Sequence, residues 1–270
     1  MKNLKKILAL ALALMLVFAF AACGEKEESM TVEDGKLIMA TNASFPPYEY
    51  VENEEYVGID VEIAGLIAED LGLELEIADI EFGSIIGGVQ TGKYDMGMAG
   101  MTVTDERLES VNFTTSYAKG IQSVIVKADS EYASYEDFYT GFDADGNPEG
   151  VKEGIKIGVQ QDTTGDIYSS SSAAEWGFGK DNVVRYKTGN EAVLALASGK
   201  VTAVIIDNEP AKAYVAATEG LKILEGSYTD EDYAICIAKE NTKLMDAVNA
   251  SLEKLIENGK VQEIVDKYIK

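Results

Sequence analysis

The 270-residue chain has no histidine, which removes the Ser-His-Asp triad, the Cys-His dyad, the HExxH zinc site and the two-histidine facial triad together. It has two cysteines, Cys23 and Cys236, too few for a disulfide framework or a cysteine zinc site. No metal and no cofactor is therefore expected. Basic residues are scarce: 23 Lys and Arg stand against 47 Asp and Glu, a net charge of −24. So acidic a chain lacks the basic footprint that DNA or RNA requires, so no nucleic-acid partner is expected, and it is only weakly drawn to anionic membranes. What is present, 46% hydrophobic and 26% charged residues, supports a sizeable core and excludes global disorder. The length suits one large or two ordinary domains.

Lys2, Lys5 and Lys6 precede an apolar run over residues 7–22, whose 16 residues fall short of the roughly 20 that span a bilayer. The run ends in Phe20-Ala21-Ala22-Cys23 and gives way to a polar stretch. Residues 1–22 therefore read as a signal peptide, and the small residues before Cys23 resemble a bacterial lipobox, with Phe20 where Leu is preferred. Cleavage there makes Cys23 a lipidated N-terminus on the outer face of the cell membrane, with residues 23–35 as a flexible stalk. An ordinary signal peptide followed by an incidental cysteine stays open as the alternative. The cleaved chain loses three lysines and no acid, for a net charge of −27.

From Lys36 onward, short apolar runs alternate with helical patterns. Residues 37–40 read as a buried strand, and Ile63, Leu66, Ile67 and Leu71 share a helical face that Gly72 ends. Strands are predicted at 73–77, 96–101 and 121–126, and helices at 85–91 and from Thr104. A second series has strands at 155–159, 183–186 and 201–206 and helices at 164–174, 191–198 and 208–217. A strand at 233–238 and helices at 243–258 and 261–268 close the chain. Such alternation predicts two α/β lobes, each a mostly parallel sheet flanked by helices. Lobe 1 is placed at 36–122 plus 234–270 and lobe 2 at 123–233, with crossings near 123–127 and 233–238. Two facing lobes would put a site in the cleft, at the strands' carboxyl ends. Residues 129–153 read as a surface loop or hairpin; Asp143, Asp145 and Asn147 have calcium-loop spacing, but no Glu closes the loop.

The most informative stretch is Ala99-Gly100-Met101-Thr102-Val103-Thr104-Asp105-Glu106-Arg107. It leaves a buried strand, turns, and starts a helix capped by Thr104. Gly100 lets a ligand approach the backbone, Thr102 offers a hydroxyl, and Arg107 can present a planar fork to a carboxylate. An exposed arginine on a surface helix is the alternative. Cys236 lies in an apolar strand as a small buried hydrophobe, and Trp176 reads as a surface or packing residue of lobe 2.

Eight strings in order along the chain resemble the polar amino-acid substrate-binding proteins of ABC importers, nearest in motif to the glutamine-binding type. They are Ala43-Ser44-Phe45-Pro46-Pro47-Tyr48-Glu49, Val57-Gly58-Ile59-Asp60-Val61-Glu62-Ile63-Ala64, Phe82-Gly83-Ser84-Ile85-Ile86, Gln90-Thr91-Gly92-Lys93-Tyr94-Asp95, Met101 to Arg107, Ile157-Gly158-Val159-Gln160, Thr163-Thr164-Gly165 and Ala203-Val204-Ile205-Ile206-Asp207-Asn208. The resemblance implies a two-lobed periplasmic-binding-protein-like fold of type II with a two-stranded hinge, and a monomer. The implied function is capture of an L-amino acid in the cleft and delivery to ABC permease subunits. Arg107 would then clamp the α-carboxylate with the Thr102 and Thr164 backbone N–H groups. Asp207, with the Gly100 carbonyl and the Thr102 hydroxyl, would accept the α-ammonium, and Met101 lies in the same motif. Phe45 and Phe82 would wall the ligand side chain, unless both belong to lobe cores. An enzyme on the same fold, such as a cyclohexadienyl-type dehydratase, and an amino-acid sensor are the rival readings.

Asn42 and Gln160 fall at the tip of the implied ligand side chain. Two amides suit an uncharged polar ligand, whereas a cationic side chain would lack a matching buried acid there, unless Glu81 supplies one.

Overall fold

The computed structural model describes residues 29–226 and 228–269, so the signal segment and Cys23 lie outside the described residues. The chain is tied down from Thr31, which is buried, and the Val32 N–H donates to Asp95 Oδ1 at 2.7 Å. The expected stalk therefore ends before residue 35. Among the described residues, no helix is long and apolar enough to cross a membrane.

Leu37 and Met39 are fully buried because Lys36–Thr41 is a central strand, covered on both faces. It pairs in parallel with Glu74–Asp79 and with Met96–Gly97. The helix Ile59–Asp70 buries Ile59, Ile63 and Ile67 on one side. Gly72, at φ +69°, takes the left-handed conformation that turns the chain into the next strand. Antiparallel strands Cys236–Ala238 and Val111–Phe113 complete this five-stranded sheet. In the second sheet, Ile157–Gln160 pairs in parallel with Val183–Tyr186 and Ala203–Asp207, and Ala118–Lys127 joins antiparallel to Ala203–Asp207. Leu221–Ile223 and Thr229–Tyr233 both pair antiparallel with Ala118–Lys127.

The molecule is thus a two-lobed α/β structure whose sheets are mixed, not mostly parallel. One strand in each sheet is reversed, Ala118–Lys127 and Cys236–Ala238, and each is the strand that follows a crossing, where the chain arrives from the other lobe. Ala118–Lys127 belongs wholly to the second sheet, so the outward crossing is at residues 114–117, earlier than the expected 123–127. The expected strand at 233–238 is likewise two strands, one in each sheet, separated by Ala234 and Ile235. The two connections are stitched together: Thr114 N–H donates to the Ile235 carbonyl at 3.0 Å, and Tyr117 N–H to the Tyr233 carbonyl at 2.9 Å.

The strand expected at 96–101 stops at Gly97, and the helix expected to reach 174 ends at Ser170. Residues 129–153 do more than cover the surface. Phe138 is fully buried with Tyr139, Phe178 and Ile157 in the core of the second lobe, and Trp176 packs edge-on to Tyr139. Asp143 is occupied by its own turn, accepting the N–H groups of Asp145 and Asn147.

Candidate functional site

The strands of both lobes end at one cleft. Its inner chamber is bordered from the first lobe by Asn42, Phe45, Phe82, Gly100, Thr102 and Arg107, and from the second by Gln160, Thr164 and Asp207. Its free volume is about 20 Å3, room for a single water, so the lobes stand closed on each other. Outside Arg107 an outer cavity of about 610 Å3 opens toward solvent. Met101 faces that outer cavity from a fully buried position in the first lobe's core.

Arg107 sits in a one-turn helix, Asp105–Leu108, whose start is fixed by Thr104 accepting the Arg107 N–H at 3.2 Å. Its guanidinium is buried over the Phe82 ring, 5.3 Å from the centroid. One donor goes to the Thr102 carbonyl at 2.7 Å and one to the Asp162 carbonyl at 3.2 Å. Among the described residues it has no ion-pair partner, whereas Arg185, the other arginine of the chain, is paired with Asp166 at 2.8 Å. Burial therefore holds the Arg107 pKa below its ordinary value, against the opposing pull of Glu231.

Asp207 ends the strand Ala203–Asp207 and precedes the helix Asn208–Ala217, yet its side chain makes no capping bond to that helix. The carboxyl turns into the cleft instead and accepts the Tyr233 hydroxyl. Burial, reinforced by the neighbouring Glu231 charge, pushes it up to about 8. Gly100, at φ +51°, sits under the Phe45 ring; a Cβ there would lie 2.8 Å from Phe45 Cε1. Its N–H donates to Asp60 Oδ2 at 2.8 Å. Thr164 opens the helix Thr164–Ser170, so its N–H has no partner within that helix.

At the far end, Gln160 Nε2 donates across the cleft to Asn42 Oδ1 at 2.9 Å, leaving the buried Gln160 Oε1 without a donor. Glu81 is not at this tip: it is exposed on the rim and paired with Lys187 of the second lobe at 2.6 Å. Three buried groups escaped the sequence reading. Glu49 borders the chamber, and burial beside Asp60 raises its pKa well above the carboxylate range. Glu231 accepts the Thr102 hydroxyl at 2.9 Å and the Gln122 amide at 3.0 Å. Glu231 and Tyr233 occupy alternate positions of one strand, a spacing that puts both on the same face. That two-residue alternation was the one available signal, hidden in a run of acids.

A family model of the bacterial extracellular solute-binding proteins, family 3, matches residues 37–270. The chain belongs to that family. That is a family of solute-binding proteins, and this chain is accordingly a solute binder, not an enzyme. The chain is 28% identical over 267 residues to the arginine-binding extracellular protein ArtP of Bacillus subtilis (strain 168), covering 98% of each chain. A crystal structure of a mutant of ArgBP from T. maritima aligns with a TM-score of 0.76 at 35% identity, over 87% of this chain and 95% of that one. An ancestral arginine-binding protein bound to glutamine aligns with the same TM-score of 0.76 at 32% identity, over 88% and 99%. The fold is the two-lobed periplasmic-binding-protein fold.

The buried acids generate a pH dependence. Asp60, raised to about 6 by burial, and Asp207, raised to about 8, bind protons more tightly folded than unfolded. Their stabilising contribution is complete below the unfolded carboxylate range and is lost as pH rises through those two values. The ligand-free protein is expected to melt at a lower temperature at pH 8.5 than at pH 5, and Asp207→Asn should flatten the upper part of that profile. Scanning calorimetry across this range checks both; a melting temperature that rises with pH contradicts the assignment.

Proposed function

We propose that this family 3 protein is the extracytoplasmic receptor of an ABC importer and captures an L-amino acid with a donor-rich side chain, of the arginine or glutamine kind. One observation carries the reading: a buried guanidinium with no ion-pair partner among the described residues and a buried carboxyl group border one chamber between two lobes. A zwitterion satisfies both. Its carboxylate meets Arg107 with the Thr102 and Thr164 N–H groups, and its ammonium meets Asp207, the Gly100 carbonyl and the Thr102 hydroxyl. Phe45 and Phe82 are the apolar walls.

The tip favours ligand donors, since Gln160 Oε1 is a buried acceptor that finds no donor among the described residues. Glu49 borders the same chamber with a buried Oε2 that has no donor among the described residues, a second acceptor for the donors of such a side chain, held toward its neutral form by burial. The names of the relatives agree with this class of ligand: one binds arginine, and a second arginine-binding protein was solved with glutamine.

Isothermal titration with L-arginine and L-glutamine tests the reading. At least one should bind with saturable one-to-one stoichiometry, and Arg107→Ala should weaken it by about 100-fold or more, because a desolvated carboxylate is left unpaired. Binding retained within twofold would remove Arg107 from the site. We infer further that Cys23 carries the lipid anchor. Labelled palmitate should enter the wild-type protein expressed in a bacterial host and be lost from Cys23→Ala; equal labelling of both contradicts the anchor.

A further inference from the structure

Glu231 plays no part in the ligand contacts just described, yet it is only 5% exposed and lies against the residue that receives the ammonium. Its Oε2 accepts two donors, the Thr102 hydroxyl and the Gln122 amide. Its Oε1 is buried and has no hydrogen-bond donor among the described residues. Two side chains reach Glu231 beyond these: the Tyr168 hydroxyl and another acceptor, the carboxyl of Asp207, which pairs with Gln122 across the sheet and takes the hydroxyl of Tyr233, two residues along from Glu231. Two carboxylates in contact, both withdrawn from water, repel each other unless a proton lies between them.

The charged and titratable surroundings do not relieve that repulsion. Tyr233, on the Glu231 strand, donates its hydroxyl to Asp207. From the first lobe, Tyr48 and Glu49 add a second phenol and a third carboxyl, and Asp60 stands behind Glu49. Tyr168 faces the pair from the helix Thr164–Ser170. Arg107 is the cation that faces both acids, and two of its donors are committed to the Thr102 and Asp162 carbonyls.

We propose that Glu231 is a positioning residue for ammonium capture: in the empty cleft it shares one proton with Asp207, and the arriving ammonium displaces that proton to solvent. The inference rests on Asp207 being the ammonium acceptor. The balance is simple. The carboxyl O–H breaks, its proton passes to water and then to buffer base, and the ligand's ammonium keeps all its own protons. The acid pair changes from one negative charge to two as one positive charge enters. Glu231 also fixes the Thr102 hydroxyl as a donor toward itself, which leaves that oxygen's lone pairs for the ligand. The high pKa of Asp207 fits this arrangement, with burial as its first cause and Glu231 as its second.

Titration calorimetry in buffers of different ionisation enthalpy counts the protons released. With L-arginine at pH 6.5, the wild type should release about one proton per ligand, and its affinity should rise about tenfold per pH unit between pH 6 and 7. Glu231→Gln, whose amide can donate to Asp207, should release far less and lose most of that pH dependence. Equal release by both proteins, or none by the wild type, overturns the proposal. Carbon-13 NMR of carboxyl-labelled, ligand-free wild type tests it without any ligand. The signal absent from Asp207→Asn should titrate above pH 7 in the wild type; titration in the ordinary carboxylate range overturns the shared proton even if Glu231→Gln fails to fold. Failure of every amino acid to bind would count against the proposed function, while the NMR titration still decides the proton.

Discussion

Arg107 is withdrawn from water with no carboxylate partner among the described residues, and desolvating a guanidinium costs several kcal/mol unless its donors are satisfied. The protein answers with two backbone carbonyls and the Phe82 face, one carbonyl from each lobe. That arrangement holds the charge in place without neutralising it. Asp207 is handled differently: a phenol holds it, and burial and Glu231 push it toward its protonated form. Both groups cost folding energy by being withdrawn from water, and both stand where a ligand group of the opposite charge would compensate them. The mixed sheets, the two crossings and the glycine turn at Gly100 all serve to bring these two groups to one chamber.

Closure depends on contacts that are mostly polar and few. Asn42 meets Gln160, Ser44 receives the Tyr214 hydroxyl, and Glu81 pairs with Lys187 at the rim. The exposed rim pair is worth at most about 1 kcal/mol. A chamber of about 20 Å3 cannot admit an amino acid, so the lobes must part for entry. The connections at 114–117 and 234–235 are where the chain changes sheets, and their mutual hydrogen bonds make them a paired hinge. A ligand that bridges the lobes can shift the open–closed balance only by its extra affinity for the closed form.

Much of the fold was legible because periodicity reports burial. The central strand at 36–41, the helix at 59–70 and the helix at 208–217 follow from their apolar spacing and end signals. The outward crossing was not legible, because Thr114-Thr115-Ser116 carries no pattern and Ala118–Lys127 is apolar only in its second half. Nine of the expected site residues border one chamber, while Met101 lies in the core beside it. The inner acids were missed for a different reason. Glu231 lies in Thr229-Asp230-Glu231-Asp232-Tyr233, which reads as a solvated loop; only its pairing with Ala118–Lys127 sends Glu231 inward. Glu49 was visible as part of a motif but carries no local sign that its strand turns it toward the cleft.

Ligand capture at this site requires recognition of both ends of a zwitterion at once. The most direct measurement is therefore the affinity for L-arginine beside its α-amide and its des-amino analogue, which remove one charge each and leave the side chain intact. Loss of about 100-fold or more for both is expected if Arg107 and Asp207 each pair with one end. An affinity for either analogue within a few-fold of that for L-arginine would contradict it, because one of the two buried groups would then have no role in holding the ligand.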